Sequence, residues 1–264
     1  MLKTTKPEVT PEVSIERQGA ALGAYIHGID LSEQLDDAGL EVILSALRDH
    51  HVVCLRNQTI TPENHIALTR LLGEPLVTDR GLLEYPAVTE IGGPVITVQR
   101  WHSDNTYERN PLALALMVAR TIPPFGDDLI FANQHTAYDL LSPAMRNMLA
   151  GLRAVHRVVM KSGEIAENVH PVVISHPLTG RKALYVNSQY TARFEGMTEE
   201  ESRPLLDYLC RHCTQPRLTW RHYWLDGDVL IWDNRNVQHY VVKDVFDSAS
   251  RTYHRTSTIG DVPR

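Results

Sequence analysis

The sequence predicts an α+β fold with a mainly β core, a sandwich or barrel of short strands carrying a few flanking helices. Two features carry that prediction. After about residue 94 the chain is dominated by short apolar or alternating runs between Pro and Gly turns, among them PVITVQRW, ALALMVART and DDLIFAN. Only a handful of segments show capped, 3.6-residue apolar periodicity, too few to build a helical protein. Strand-rich segments lie on both sides of helices expected at 142–153 and 198–213. Those helices are therefore insertions in one domain spanning 14–264, not a second domain.

Residues 1–13 carry Thr, Lys, Pro and Glu without periodicity and form an expected flexible tail. AALGAYIHGID (20–30) has glycines around short apolar runs, as in an irregular strand pair. DAGLEVILSALRDH (37–50) puts Leu40, Ile43, Leu44 and Leu47 on one helix face. HVVCLRN (51–57) is a buried strand. ITPENHIALTRLLG (60–73) has Thr61 as N-cap, Pro62 at the first helical position and a terminal glycine. Ser142 and Pro143 open the next helix in the same way. HPVVISHP and KALYVNS form a hairpin across LTGR, and TEEESRPLLDYLCRHC (198–213) is amphipathic. LTWRHYW, DVLIWDN and RTYHRTSTIG supply the last strands.

With 264 residues, 43% hydrophobic and 22% charged, the chain has the composition of a globular protein. A formal net charge of −6 argues against non-specific nucleic-acid binding. No apolar run approaches the roughly 18–20 residues of a membrane span. MLKTTKPEVTPEV lacks a signal-peptide core, and three cysteines give no disulfide framework; both fit the cytoplasm. The unusual count is 13 histidines, which directs attention to metal or acid–base chemistry.

His102-Ser103-Asp104, in RWHSDNTY, is the first candidate. On a strand, residues two apart point to one face, so an imidazole and a carboxylate there can converge on one ion. His239, in VLIWDNRNVQHY, supplies a third ligand. Two histidines and a carboxylate on one octahedral face leave three positions open, the arrangement of non-heme Fe(II) oxygenases. Arg251 and Arg255, in RTYHRTST, need anionic partners if buried, and their planar forks suit a carboxylate or sulfonate. An open metal beside buried arginines describes an enzyme that binds a 2-oxo dicarboxylic acid.

WHSDNTY, GDDLIFANQHTAYDLLS, LRAVH, HPLTGRKALYVNSQYTARF, WDNRNVQHY and HRTSTIGD, in that order, together resemble the taurine dioxygenase and 2,4-dichlorophenoxyacetate dioxygenase family. The resemblance runs from about residue 14 to 262. It implies a double-stranded β-helix (jelly-roll) core and an oxygenase that uses Fe(II), 2-oxoglutarate and O2, hydroxylating a small anionic substrate whose product can then fragment. It assigns His102, Asp104 and His239 to the metal, Arg251 to the distal carboxylate of 2-oxoglutarate and Arg255 to the acidic group of the substrate. Tyr190 falls over the substrate, Asn105 lines the pocket, and Trp101 and Trp232 pack beside the ligands. Relatives are commonly dimers or tetramers, so a homo-oligomer is expected.

Departures from the family pattern bear on the ligands. Leu129 stands where a threonine commonly hydrogen-bonds 2-oxoglutarate, removing a donor worth about 1 kcal/mol and leaving Arg251 as the main anchor. Val98 and Val158 replace an asparagine and a phenylalanine of taurine dioxygenase. LVTDRGLLEYPAVTEI lacks its His and Tyr pair, and the segment HRVVMKSGEIAEN is a short lid. These losses argue against taurine as substrate. Asp104 fills the position that halogenating relatives open for a halide, which favours hydroxylation. Leu129 and the short lid also leave open a non-catalytic jelly-roll binding or sensor protein. Cys210 and Cys213 form a C-x-x-C without a second such pair and are expected to pack a helix. His254 alternates to the face opposite the arginines. His50 and His51 join a helix to a strand, and His135, His156, His170 and His176 sit near strand ends.

Overall fold

The computed structural model describes residues 12–92, 100–123, 126–242 and 251–264. Strands β1 (Ser14–Arg17) and β2 (Ala24–His27) pair antiparallel. Helix α1 (Asp37–His50) starts where Asp36 accepts from the Gly39 amide and ends as His51 turns left-handed at φ 66°. β3 (Val52–Leu55) then runs parallel to β2, fully buried. Thr61 and Asn64 form a reciprocal capping box for α2 (Pro62–Leu72). After β4 (Thr89–Gly92) come β5 (Leu112–Thr121) and β6 (Leu129–Asn133).

Two short helices, α3 (Gln134–Asp139) and α4 (Pro143–Leu149), precede β7 (Arg153–Val159), β8 (Ile165–Pro171), β9 (Val173–Ser175), β10 (Lys182–Leu184) and β11 (Thr191–Phe194). Helix α5 (Glu199–Cys213), with its own Thr198–Glu201 capping box, leads through a short 3-10 turn to β12 (Thr219–His222). The chain finishes with β13 (Val229–Asp233), β14 (Val237–Val241) and β15 (Thr252–Ile259).

A seven-stranded sheet in the order β1-β2-β3-β13-β5-β15-β4 faces a three-stranded sheet in the order β12-β6-β14. Side chains from both interleave in one core: Val52, Cys54, Ala115, Met117, Leu230 and Trp232 from the large sheet, Leu129, Phe131 and Val237 from the small one. Period-two alternation sends the other side chains of the large sheet, such as Val53, Leu116 and Ile231, against Ile43, Leu47 and Leu68 of α1 and α2. A separate core beneath α3, α4 and α5 includes Leu149, Phe194 and Leu209. The fold is thus strand-dominated α/β with flanking helices. No helix among the described residues is long and apolar enough to cross a membrane.

Several expectations change. The helix expected at 142–153 stops at Leu149, because Ala150-Gly151 ends it and Arg153 already pairs in β7. The supposed lid after LRAVH is the β7–β8 hairpin, turning at Gly163 with φ 86°. Helix α3 follows β6 directly because Asn133 caps it, accepting from the Thr136 amide. His102 and Asp104 do not lie on a strand: His102 makes one isolated β-bridge and the chain then turns. Most of PVITVQRW, including Val98, lies outside the described residues.

Burial of uncharged histidines makes the fold acid-sensitive. Burial pushes His51, His65 and His156 down to about 3. Each stays neutral in the folded chain while its unfolded counterpart protonates near 6.5. Stability is therefore complete above about 6.5 and falls as pH drops from there toward 3, by about 1.4 kcal/mol per pH unit for each histidine. Urea unfolding of the metal-free protein should show a midpoint that declines steeply between pH 7 and 5; a flat profile would contradict this linkage.

Candidate metal centre and its cavity

A reciprocal pair of backbone hydrogen bonds joins His102 to His239: His102 N donates to His239 O (3.1 Å) and His239 N to His102 O (2.7 Å). His239 sits within β14, which is hydrogen-bonded along its length to β6. Both side chains of a directly opposed pair leave the same face, so the imidazole centroids lie 4.1 Å apart. The turn after His102 is fastened by Ser103 Oγ donating to Val237 O (2.7 Å) and by buried Asn234. The Asn234 side chain accepts from Asp104 N (2.7 Å) and donates to Asp104 O and Leu112 O. Asn105 comes next in the left-handed region (φ 54°), which asparagine tolerates, and carries the chain away from the site.

This local geometry aims Asp104 Oδ1 at both rings, 3.5 Å from His102 Nε2 and 3.9 Å from His239 Nε2. An octahedral ion with ligands at about 2.1 Å holds adjacent donors about 3 Å apart, so small side-chain shifts would enclose it. His102 Nδ1 lies 2.8 Å from Arg100 O, which accepts its proton and leaves the Nε2 lone pair facing the site. Burial, with His102 alongside, pushes His239 down to about 3, which keeps it a neutral donor. Burial alone would raise Asp104, but Arg255, donating to Oδ2 at 2.8 Å, outweighs it and holds the carboxyl well below the usual range. Two imidazoles, one anionic oxygen and no competing thiol suit a borderline divalent ion.

His102, Asp104 and His239 open onto a cavity of about 320 Å³. Arg251, Arg255, Leu129, Tyr190 and Asn105 all line it, as do Trp232, Met117, Trp224 and Val241. Arg251 stands just before β15 and Arg255 within it; Arg251 is paired with Asp127. The Tyr190 ring is 6.0 Å from His102 and 5.1 Å from Tyr107, and burial raises its hydroxyl above the ordinary tyrosine value. Trp232 packs 5.3 Å from His239, whereas Trp101 packs at a tilt on Tyr240 and is not among the cavity-lining residues. Val158, half-buried on β7, is not among the lining residues: its strand belongs to the separate β11-β7-β8 sheet.

Sequence reasoning missed Arg80, Asp127 and Tyr107, which also line the cavity. The first acid of GDDL was a visible signal for Asp127; Arg80 and Tyr107 carried none. The remaining histidines are structural. His156 bonds Thr106, His170 bonds Glu108 O, His135 bonds Lys182 O and His176 bonds Asp233. His254 faces Arg120 and Glu90, opposite the cavity. Cys210 and Cys213 are free thiols on α5.

A second His/Cys/Asp group, Cys54, His222 and Asp228, is completely buried. Asp228 already carries Arg56 at 2.7 Å and the Leu225 amide at 2.9 Å, and burial pushes the Cys54 thiol up. A carboxylate so neutralised, beside a protonated thiol, is a polar hub tying β3 to the β12–β13 turn.

A family model described as "Taurine catabolism dioxygenase TauD, TfdA family" matches residues 14–257. An alpha-ketoglutarate-dependent sulfate ester dioxygenase of Pseudomonas putida is 30% identical over 96% of this chain and 91% of its own. A taurine dioxygenase structure from Burkholderia xenovorans superposes with a TM-score of 0.89 at 35% identity, covering 96% of this chain and 91% of that one. The structure of AAD-2 with Mn(II) and N-oxalylglycine, 24% identical, shares the fold at a TM-score of 0.85, covering 96% and 99%.

Mn(II) binding, followed by loss of the free-ion EPR signal, should be weakened beyond detection by His102→Ala, Asp104→Ala or His239→Ala. Asn234→Ala, which only unfastens the turn, should weaken it by about 10–100-fold. Cys54→Ala should leave it unchanged; loss of binding there would move the metal to the other group.

Proposed function

The chain belongs to the Taurine catabolism dioxygenase TauD, TfdA family as a 2-oxoglutarate-dependent dioxygenase; from that premise we propose that its metal is Fe(II), held by His102, Asp104 and His239, and that its substrate is a small organic anion. The fold is then a double-stranded β-helix formed by the two facing sheets, within one domain over 14–264, and the protein works in the cytoplasm as a homo-oligomer. The observation that carries the reading is the convergence of two imidazoles and one carboxylate oxygen beside a cavity with excess positive charge.

Charge counting supports an anionic substrate. Arg80, Arg251 and Arg255 against Asp104 and Asp127 leave the cavity one positive charge. A divalent ion raises this to three and dianionic 2-oxoglutarate lowers it to one, which a monoanionic substrate cancels. Low-dielectric surroundings make such matching energetically important.

When bound, the iron supplies the redox chemistry that couples oxidative decarboxylation of 2-oxoglutarate to insertion of oxygen from O2 into a substrate C–H bond. The protein's own groups do the rest. Arg255 holds Asp104 Oδ2 so that Oδ1 stays turned to the metal position, and its remaining N–H groups are available to the substrate's acid. Arg251 takes the distal carboxylate of 2-oxoglutarate, while Leu129, Trp224, Met117 and Val241 wall that end against water. Tyr190 and Tyr107 pack over the opposite side, where Arg80 reaches the cavity. Sulfate-ester and sulfonate oxidation by relatives is compatible with this anion-binding cavity.

Anaerobically purified protein given Fe(II), 2-oxoglutarate, ascorbate and air should release succinate when offered the right member of a panel of sulfate esters, sulfonates and aryloxyacetates. Asp104→Ala should abolish that release, and full activity of this variant would overturn the assignment. Arg80→Ala should raise KM for the anion while leaving succinate formation per turnover intact.

A further inference from the structure

Asp127 has no part in the reactions assigned above, yet it is placed with unusual care. It lies on the turn between Gly126 and β6, is 3% exposed and lines the cavity. Its backbone is left-handed (φ 63°), a conformation that glycine adopts freely and an L-residue adopts at some cost, so the turn does not itself require a side chain here. That side chain forms an ion pair with the Arg251 guanidinium, which is itself largely buried. The neighbouring wall is mostly apolar, with Leu129, Trp224 and Val241, and Tyr253 also lies beside the Asp127 carboxylate. Arg251 therefore meets a carboxylate supplied by the protein at the position where a ligand's carboxylate would arrive.

We infer that Asp127 is a specificity-determining residue of the co-substrate pocket: its carboxylate occupies Arg251 as an internal stand-in for the distal carboxylate of a 2-oxo diacid. This rests on the role of Arg251 proposed above. 2-Oxoglutarate must displace Asp127 from Arg251, or share the guanidinium with it, and either route costs affinity because two buried carboxylates then compete for one cation. A 2-oxo acid of similar length with an uncharged tail leaves the pair intact and lies against the apolar wall. The pocket consequently discriminates poorly between charged and uncharged tails, and Asp127 sets that selectivity.

The test is calorimetric binding of 2-oxoglutarate and of 2-oxopentanoate to Mn(II)-loaded protein without O2, so that no turnover contributes. Asp127→Asn should tighten 2-oxoglutarate by about tenfold or more, the worth of a charge-assisted contact released, and leave 2-oxopentanoate nearly unchanged. Asp127→Gly, which the left-handed backbone welcomes, should do the same and covers the case in which the asparagine variant folds poorly. Arg251→Gln in the Asp127→Asn background should remove the gain. If the Asp127 variants bind 2-oxoglutarate no tighter while Arg251→Gln weakens it, the inference about Asp127 falls and the role of Arg251 stands. If Arg251→Gln leaves 2-oxoglutarate affinity untouched, the role of Arg251 falls and this inference with it.

Discussion

The reciprocal backbone hydrogen bonds between His102 and His239 are the constraint on which the rest of the site depends. The two residues are 137 positions apart in the sequence, and the bridge makes them directly opposed neighbours with their rings on one face. His239 is fixed because β14 is zipped to β6, and β6 to β12. His102 is not on a strand of its own, so its position is borrowed from β14, with Ser103 and Asn234 fastening the turn that carries Asp104. The centre is therefore as rigid as the small sheet, although half of it is carried by a turn.

Charge pairing is the second constraint. Asp104 is buried and remains ionised because Arg255 compensates it, and the same contact selects which oxygen faces the imidazoles. Asp127 and Arg251 repeat the arrangement at the other end of the cavity. Asp228 with Arg56, and Asp233 with Arg235, follow it in the body of the fold. Removing one member of such a pair strands a buried charge, which generally costs about 3–5 kcal/mol. The arginines are in this sense structural, whatever ligand Arg251 and Arg255 also meet.

Histidine abundance turns out to have two meanings. Two imidazoles converge beside Asp104, whereas His51, His65 and His156 are neutral core side chains, the last two bonded to hydroxyls and all carrying the acid-sensitivity of the fold. Composition alone raised the prospect of a metal; only which nitrogens point at a common acid separates the two groups.

By itself the sequence determined what depends on local physics and motif order. Periodicity located α1 and α5, and periodicity with the Thr61 cap located α2, each to within a residue or two, because an apolar face and a satisfied first-turn amide are local properties of the chain. The H-x-D, the distant histidine and the paired arginines identified His102, Asp104, His239, Arg251 and Arg255, since that chemistry needs those residue types. Tertiary structure alone decided that the H-x-D sits on a bridge and a turn, that Val158 belongs to another sheet, and that Arg80, Tyr107 and Asp127 face the same cavity. These facts turn on which strands become neighbours, a choice governed by burial and long-range pairing that no local run of residues records. Asp127 shows the difference: as the first acid of GDDL it resembles a turn residue, and only its approach to Arg251, across 124 positions, makes it part of the pocket.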